Sequence, residues 1–277
     1  MAVIAENGPM RLAIRAWSEG AFFTDAALEG AGFAFSCLRQ VAAHLSLLKI
    51  PGAVPESVPL PAAPVALAMI QSIRRTRDPD LTPMAAVAGS IADAVADRIR
   101  RAGAQKVIVE NGGDIAIRLD PGQTARVGLR TGLDTPGISR IMALDADHTS
   151  WGVNTSGLGG RSLTCGIASA ATAVAVTSSL ADAAATSIAN ACFHPHPDIL
   201  RVPARDMDPH TDIPDVPVTA EIKAPLPGGV IRAALDRSLE RAEAFCARGL
   251  ILGAVIVCGG HMAVTREFET RVALLHA

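Results

Sequence analysis

The segment 106–119, KVIVE-Asn111-Gly112-Gly113-DIAIRL, restricts the fold more than any other stretch of the chain. Two short β-branched runs flank an Asn-Gly-Gly turn, and Asn-Gly is the strongest local hairpin signal because a type I′ turn needs positive φ at both central residues. A chain that closes such a hairpin pairs its strands antiparallel. Further strand candidates are 10–16, 125–130, 140–144, 150–153 and 171–177. The runs 251–257 and 262–266, joined through Gly259-Gly260, predict a second hairpin near the end.

Helical patterns lie between these strands. Residues 25–48 place Phe33, Cys37, Val41 and Leu45 on one face, with Thr24-Asp25 able to cap the start and Gly30 and Gly32 each weakening the helix by about 1 kcal/mol. A proline-rich connector, 51–64, leads to a shorter helix ending near Arg74-Arg75. Thr82-Pro83 then gives the clearest start signal, a threonine cap followed by proline at the first helical position. Met84, Val87, Ala88, Ile91, Val95 and Ile99 form the apolar face of that helix, and Arg98, Arg100 and Arg101 occupy its last turn, where cations suit the dipole. Gly228-Gly229 opens a charged amphipathic helix ending near Arg248-Gly249. Strand pairs on short turns with helices grouped between them predict an α+β fold with a largely antiparallel sheet. The 277 residues read as a single domain, with an exposed excursion at 195–228 that holds eight prolines.

Composition excludes several roles. The net charge of −2 argues against a nucleic-acid or anionic-membrane surface. Five scattered cysteines without a CxxC pair argue against a disulfide framework and suit a reducing cytoplasm. The first residues do not read as a signal peptide, and no window reaches the roughly 18 apolar residues of a membrane span. A soluble, cytoplasmic protein is expected.

Three polar constellations could carry chemistry. On the helix 180–192, Asp182, Thr186 and Asn190 recur every four residues and share one face. Asp182 and Thr186 could direct two oxygens to a hard cation such as Mg²⁺. Alternatively, Ser179 and Asp182 have capping-box spacing, and Asp182 would bond the backbone at the start of its own helix. The loop 155–161, with Thr155, Ser156, Gly157 and Arg161, could present N–H groups and a cation to a phosphate, or could be a tight turn between strands. It matches neither the P-loop nor the GxGxxG pattern. Asn111, Gly112, Gly113 and Asp114 make a hairpin turn whose bare main chain would let a flat ring or a sugar lie against it. His194 and His196 read as solvated loop residues and Cys165 as a small buried side chain, because no nearby histidine would activate it.

The segments Thr82-Pro-Met-Ala-Ala-Val-Ala-Gly89, Val109-Glu-Asn-Gly-Gly-Asp-Ile115, Asn154-Thr-Ser-Gly157 and Leu180-Ala-Asp-Ala-Ala-Ala-Thr186, in this order, resemble the ApbE-like superfamily, most closely its uncharacterised non-lipoprotein branch. The resemblance implies a T-fold-related α+β structure. It implies Mg²⁺ and FAD, or a related nucleotide, as ligands, with transfer of FMN onto a hydroxyl of an acceptor protein as the family reaction. It assigns Asp182 and Thr186 to the metal, and Gly112, Gly113, Asp114, Thr155, Ser156 and Gly157 to the border of the flavin nucleotide, with Asn111 of the same turn expected beside the ring or ribose. T-fold-like sheets often assemble at their edges, so a homodimer is an open expectation. Flavin transferases of this family carry a His-Ile-Asp-Pro-x-Thr-Gly-like segment between the Thr-Ser-Gly loop and the metal helix. Here that interval, 158–179, contains no histidine, aspartate or proline. Three readings therefore stay open: an FMN transferase, a non-catalytic flavin- or nucleotide-binding protein, and an enzyme acting on a pterin-like small molecule.

Overall fold

The computed structural model describes every residue except 53–57, 130–139, 161, 267, 269–272 and 277. In chain order it begins with β1 (Val3–Asn7), β2 (Met10–Ser18), β3 (Ala21–Phe22), α1 (Thr24–Ala43), α2 (Leu45–Leu48), α3 (Pro64–Thr76) and α4 (Val87–Arg101). The strands β4 (Lys106–Asn111), β5 (Asp114–Leu119), β6 (Ala125–Leu129), β7 (Arg140–Leu144), β8 (Ser150–Ser156) and β9 (Ala170–Ala175) follow. The chain continues with α5 (Ser178–Ala191), β10 (Ile199–Pro203), β11 (Pro217–Ile222), α6 (Gly228–Ala247), β12 (Gly253–Cys258), β13 (His261–Val264) and β14 (Ala273–His276). Contacts gather these elements into two compact units, one of Met1–Ala125, Leu144–Asn154 and Val174–Ala183, the other of Arg126–Ala143, Thr155–Ala173 and Ala184–Ala277.

The first unit is built on an antiparallel run of strands in the order β1-β2-β4-β5-β8. In β2 the side chains of Met10, Leu12, Ile14 and Ala16 are buried in strict alternation, which a strand with one covered face requires. The hairpin expected at Asn111-Gly112-Gly113-Asp114 is present. Asn111 pairs with Asp114, and the two glycines have φ of 69° and 110°. Helices α1, α3 and α4 contribute Ala27, Cys37, Met69, Ile70, Ile91, Val95 and Ile99 to the same core. Gly30, which weakens α1 locally, has a packing reason. A Cβ there would lie 2.5 Å from the Ile99 side chain of α4.

Two helix starts differ from expectation. Thr82 does cap, accepting from the Met84 N–H at 3.2 Å, but the first turn, Pro83–Ala86, is a 3-10 turn and the α-helix begins at Val87. The predicted helix 25–48 breaks at His44 into α1 and the short α2, and neither Thr24 nor Asp25 makes a side-chain cap to α1.

In the second unit, β12 and β13 pair antiparallel through Gly259-Gly260, both at positive φ, as expected of a two-residue turn. β14 pairs with β7. The stretch 195–228, expected to be an exposed excursion, holds the antiparallel ladder β10–β11, in which Val218 and Thr219 are buried. The thiols of Cys192 and Cys258 are buried against each other in this unit, and their mutual hydrogen bond raises the pKa of Cys192. Among the described residues, no helix is long and apolar enough to cross a membrane.

Candidate functional site

Two glycines create the closest approaches in the first unit. A Cβ on Gly89 of α4 would lie 2.3 Å from the Ser178 carbonyl oxygen of α5 and 2.9 Å from the Asp182 Cβ. A Cβ on Gly152 of β8 would lie 2.3 Å from the Thr177 carbonyl oxygen. With both positions bare, the first turns of α4 and α5 meet, and the chain entering α5 lies against β8 at Gly152.

Helix starts leave backbone N–H groups without intrahelical partners, and here each helix serves the other. Asp93 of α4 accepts from the Ser178 and Ser179 N–H groups of α5, at 3.0 and 2.8 Å. Asp182 of α5 accepts from the Gly89 N–H of α4 at 2.9 Å. Gly89 and Asp93 are one turn apart on α4, and Ser178 and Asp182 are one turn apart on α5. The capping role considered for Asp182 is thus real, but the capped helix is α4 and not its own. Asp93 is buried and needs a counter-charge. Arg118 of β5 supplies it at 2.9 Å and also holds Asp97 at 2.6 Å. Burial works against the Arg118 charge, but Asp93 and Asp97 outweigh it and raise the guanidinium pKa further.

The hairpin turn joins this network. The Asn111 side-chain amide donates to the Ala88 carbonyl at 3.3 Å. Asp114 accepts from the Asn154 amide at 3.0 Å, and the Asn154 oxygen accepts from the Ser178 hydroxyl at 2.9 Å. A Cβ on Gly113 would meet nothing within 4 Å, so the turn's main chain is open on that side. Asn111, Gly112, Gly113, Asp114 and Asp182 are all residues of this one unit.

The electrostatics single out Asp182. Desolvation and the neighbouring Asp114 hold its carboxyl well above the usual carboxylate range, against the lowering effect of the Gly89 and Ala88 N–H groups, with Asp93 adding to the rise. A group whose folded pKa is raised stabilises the fold at low pH. That contribution fades as pH climbs from the ordinary value of 3.8 through the folded value. Without added metal or ligand, Asp182→Asn is therefore expected to gain stability relative to the parent as pH rises above about 4. Thermal midpoints of both proteins across that range test this. A difference that is flat, or that grows towards acid, contradicts it.

The remaining candidate residues belong to the second unit. Thr186 is half-buried, one turn beyond Asp182 on α5. Asn190, the third residue of the stripe, is structural, accepting from the Thr164 hydroxyl and the Cys165 N–H. Thr155 is hydrogen-bonded to Thr172 at 2.8 Å, and the buried Ser156 hydroxyl has no hydrogen-bond partner among the described residues. In the glycine loop, Leu158, Gly159 and Gly160 donate their N–H groups to the carbonyls of Ala168, Ser169 and Gly157. These three amides are committed to loop structure. Arg161 lies outside the described residues.

A hard cation such as Mg²⁺ takes oxygen ligands and commonly needs only one or two carboxylates, because water and ligand phosphates complete its shell. Asp182 is the carboxylate of the expected metal pair, and the neighbouring Asp114 charge acts against its ionisation. Among the described residues, no three His, Cys, Asp or Glu side chains come together to hold a metal without such help. Sequence reading missed Asp93, Arg118 and Gly89. Gly89 had a signal, because glycine inside an otherwise strong helix costs about 1 kcal/mol and usually has a packing reason.

A family model described as AbpE bacteria matches residues 2–264. A UPF0280 protein of Methanopyrus kandleri is 37% identical over 161 residues, covering 56% of this chain and 64% of that one. A UPF0280 protein of Methanococcus aeolicus is 32% identical over 148 residues, covering 52% and 59%. The chain thus spans less than two thirds of the length of these curated relatives. The crystal structure of the flavinyl transferase ApbE of Pseudomonas stutzeri, in its apo form, matches with a TM-score of 0.54 at 15% identity, over 98% of this chain and 95% of that one. The ApbE protein of Thermotoga maritima matches with a TM-score of 0.50 at 12% identity, over 98% of both chains. At such identities the likeness shows the fold, a mixed helix and antiparallel-sheet structure of the ApbE kind.

Proposed function

Because this chain belongs to the ApbE-like family through the match to residues 2–264, we propose that it binds a flavin- or nucleotide-type ligand together with Mg²⁺. The observation that carries this reading is the placement of Asp182, whose carboxyl accepts from the Gly89 N–H at the start of α4 at 2.9 Å. Desolvation first, and then the charges of Asp114 and Asp93, act against its ionisation there. A cation beside it removes that conflict. Asp182 and Thr186, at i and i+4 of one helix, would hold the metal. The hairpin turn Asn111, Gly112, Gly113 and Asp114, whose main chain is open at Gly113, would receive the ring or the ribose. The resemblance carries Thr155, Ser156 and Gly157 over to the border of the nucleotide, and Arg161 is added from its place in the same glycine loop as a cation for phosphate.

Bound Mg²⁺ would neutralise a diphosphate and polarise its P–O bonds. The reaction such a site serves in the family is FMN transfer. A serine or threonine oxygen of an acceptor protein bonds to the FMN phosphorus and loses its proton, while the P–O bond to AMP breaks and AMP leaves. The interval 158–179, with no histidine, aspartate or proline, favours a second reading, a binding protein without transfer. Incubation with FAD, Mg²⁺ and a threonine-containing acceptor peptide separates the two. AMP release with peptide flavinylation supports the transferase, and saturable FAD binding without AMP supports the binder.

The site itself is tested by Asp182→Asn. The variant is expected to lose about tenfold or more in Mg²⁺-dependent FAD affinity, roughly 1.4 kcal/mol, while FAD binding without Mg²⁺ stays within about twofold. Calorimetric titration reads both. A variant that retains the parent's full Mg²⁺ effect removes Asp182 from the metal.

A further inference from the structure

We propose that Asp93 is a positioning residue for this site, its carboxylate clamping the first turn of α5 and so fixing where Asp182 presents its own. The inference rests on the reading of Asp182 as a metal ligand. It reaches a residue that neither the motifs nor the apolar pattern of α4 points to.

Asp93 is buried, and its two oxygens receive three hydrogen bonds. One oxygen takes Ser178 N–H and the Arg118 guanidinium, and the other takes Ser179 N–H. Ser178 and Ser179 are the first two residues of α5, and Asp182 stands one turn above Ser178. A carboxylate that ties down both leading amides leaves the first turn little freedom to rotate or translate. The second tie is the Asp182–Gly89 hydrogen bond itself, which links α5 back to α4 one turn before Asp93. A metal that draws on Asp182 competes with the Gly89 N–H for its oxygens. The Asp93 clamp is then what keeps α5 seated while Asp182 shares its carboxylate.

Arg118 explains why the clamp can be a buried anion. Its side chain is 5% exposed and lies between Asp93 and the half-exposed Asp97. A buried carboxylate needs a paired cation and saturated hydrogen bonding, and Asp93 has both. Outer partners that orient a metal ligand typically change metal affinity by about 10–100-fold when removed. A plain helix cap would instead alter stability and leave affinity alone.

The experiment is a double-mutant cycle of Asp93→Asn and Asp182→Asn, read by FAD titration with and without Mg²⁺ and by amide hydrogen exchange at Ser178 and Ser179. Asp93→Asn is expected to speed exchange at both amides and to weaken Mg²⁺-dependent FAD binding by about tenfold. In the Asp182→Asn background the same change should move FAD binding by less than about twofold, because the residue it acts through is already gone. Asp97→Asn, which loosens Arg118 without touching α5, should leave the Mg²⁺ effect within about twofold. If Asp93→Asn does not fold, Asp93→Glu keeps the charge pair but displaces the clamp, and the same tenfold loss is expected. Equal effects of the Asp93 change in both backgrounds, or none in the parent, overturn the positioning role. Full retention of the Mg²⁺ effect in Asp182→Asn alone overturns the underlying site reading and the positioning role with it.

Discussion

Replacing Gly89 with alanine is expected to destabilise the protein by about 3 kcal/mol. In an ordinary helix the exchange would stabilise, since alanine is favoured over glycine by about 1 kcal/mol. Here the added methyl would lie 2.3 Å from the Ser178 carbonyl oxygen and 2.6 Å from its carbon, both backbone atoms of α5. No side-chain rotation relieves such a contact, so α4 and α5 must move apart and the Gly89–Asp182 hydrogen bond is lost. The steric effect therefore outweighs the propensity gain. Gly32 of α1 is the internal comparison, because a Cβ there meets nothing within 4 Å. Gly32→Ala should stabilise by up to about 1 kcal/mol. Urea unfolding midpoints at unchanged slope measure both. A Gly89→Ala protein as stable as the parent would contradict the close helix contact on which the site geometry depends.

Arg118→Met is expected to be at least as damaging, about 3–5 kcal/mol, because it leaves the buried Asp93 without its cation. The two N–H donors from Ser178 and Ser179 remain and place the loss near the lower end of that range. Adding Asp93→Asn removes the uncompensated charge, so the double variant should recover about half of the deficit. The comparison is again made in urea. A double variant that falls by the sum of the two single changes would show that Arg118 stabilises the fold by packing and not by balancing Asp93.

The parts of this molecule that were legible in its sequence are those fixed by local chemistry. The Asn111-Gly112-Gly113-Asp114 turn is written in four residues, and the structure pairs Asn111 with Asp114 as that turn demands. The Gly259-Gly260 turn and the apolar stripe Ile91, Val95, Ile99 were legible for the same reason. Thr82-Pro83 announced a helix correctly, but proline and a threonine cap are equally satisfied by the 3-10 turn that precedes α4.

What was not legible depends on partners far along the chain. Asp182 was recognised as a residue that either caps or binds, yet the amide it caps is 93 positions away, where no periodicity reaches. Asp93 stood off the apolar stripe of α4 and carried no local signal, because its meaning lies in Ser178 and Ser179. The glycine loop stood open between a phosphate nest and a tight turn, and partners outside the motif weigh on that choice. Leu158 and Gly159 give their N–H groups to Ala168 and Ser169, and Gly160 gives its own to Gly157. In 195–228 the prolines masked a ladder. Pro217 opens β11, a place where a missing N–H is tolerated.

The proposed cation-dependent ligand site beside the first turns of α4 and α5 is tested most directly by titrating FAD into the unmodified protein with and without Mg²⁺. Saturable binding that Mg²⁺ strengthens by about tenfold or more, equivalent to roughly 1.4 kcal/mol, is the expected result. Isotherms that coincide in the presence and absence of Mg²⁺, or no FAD binding in either, would contradict it.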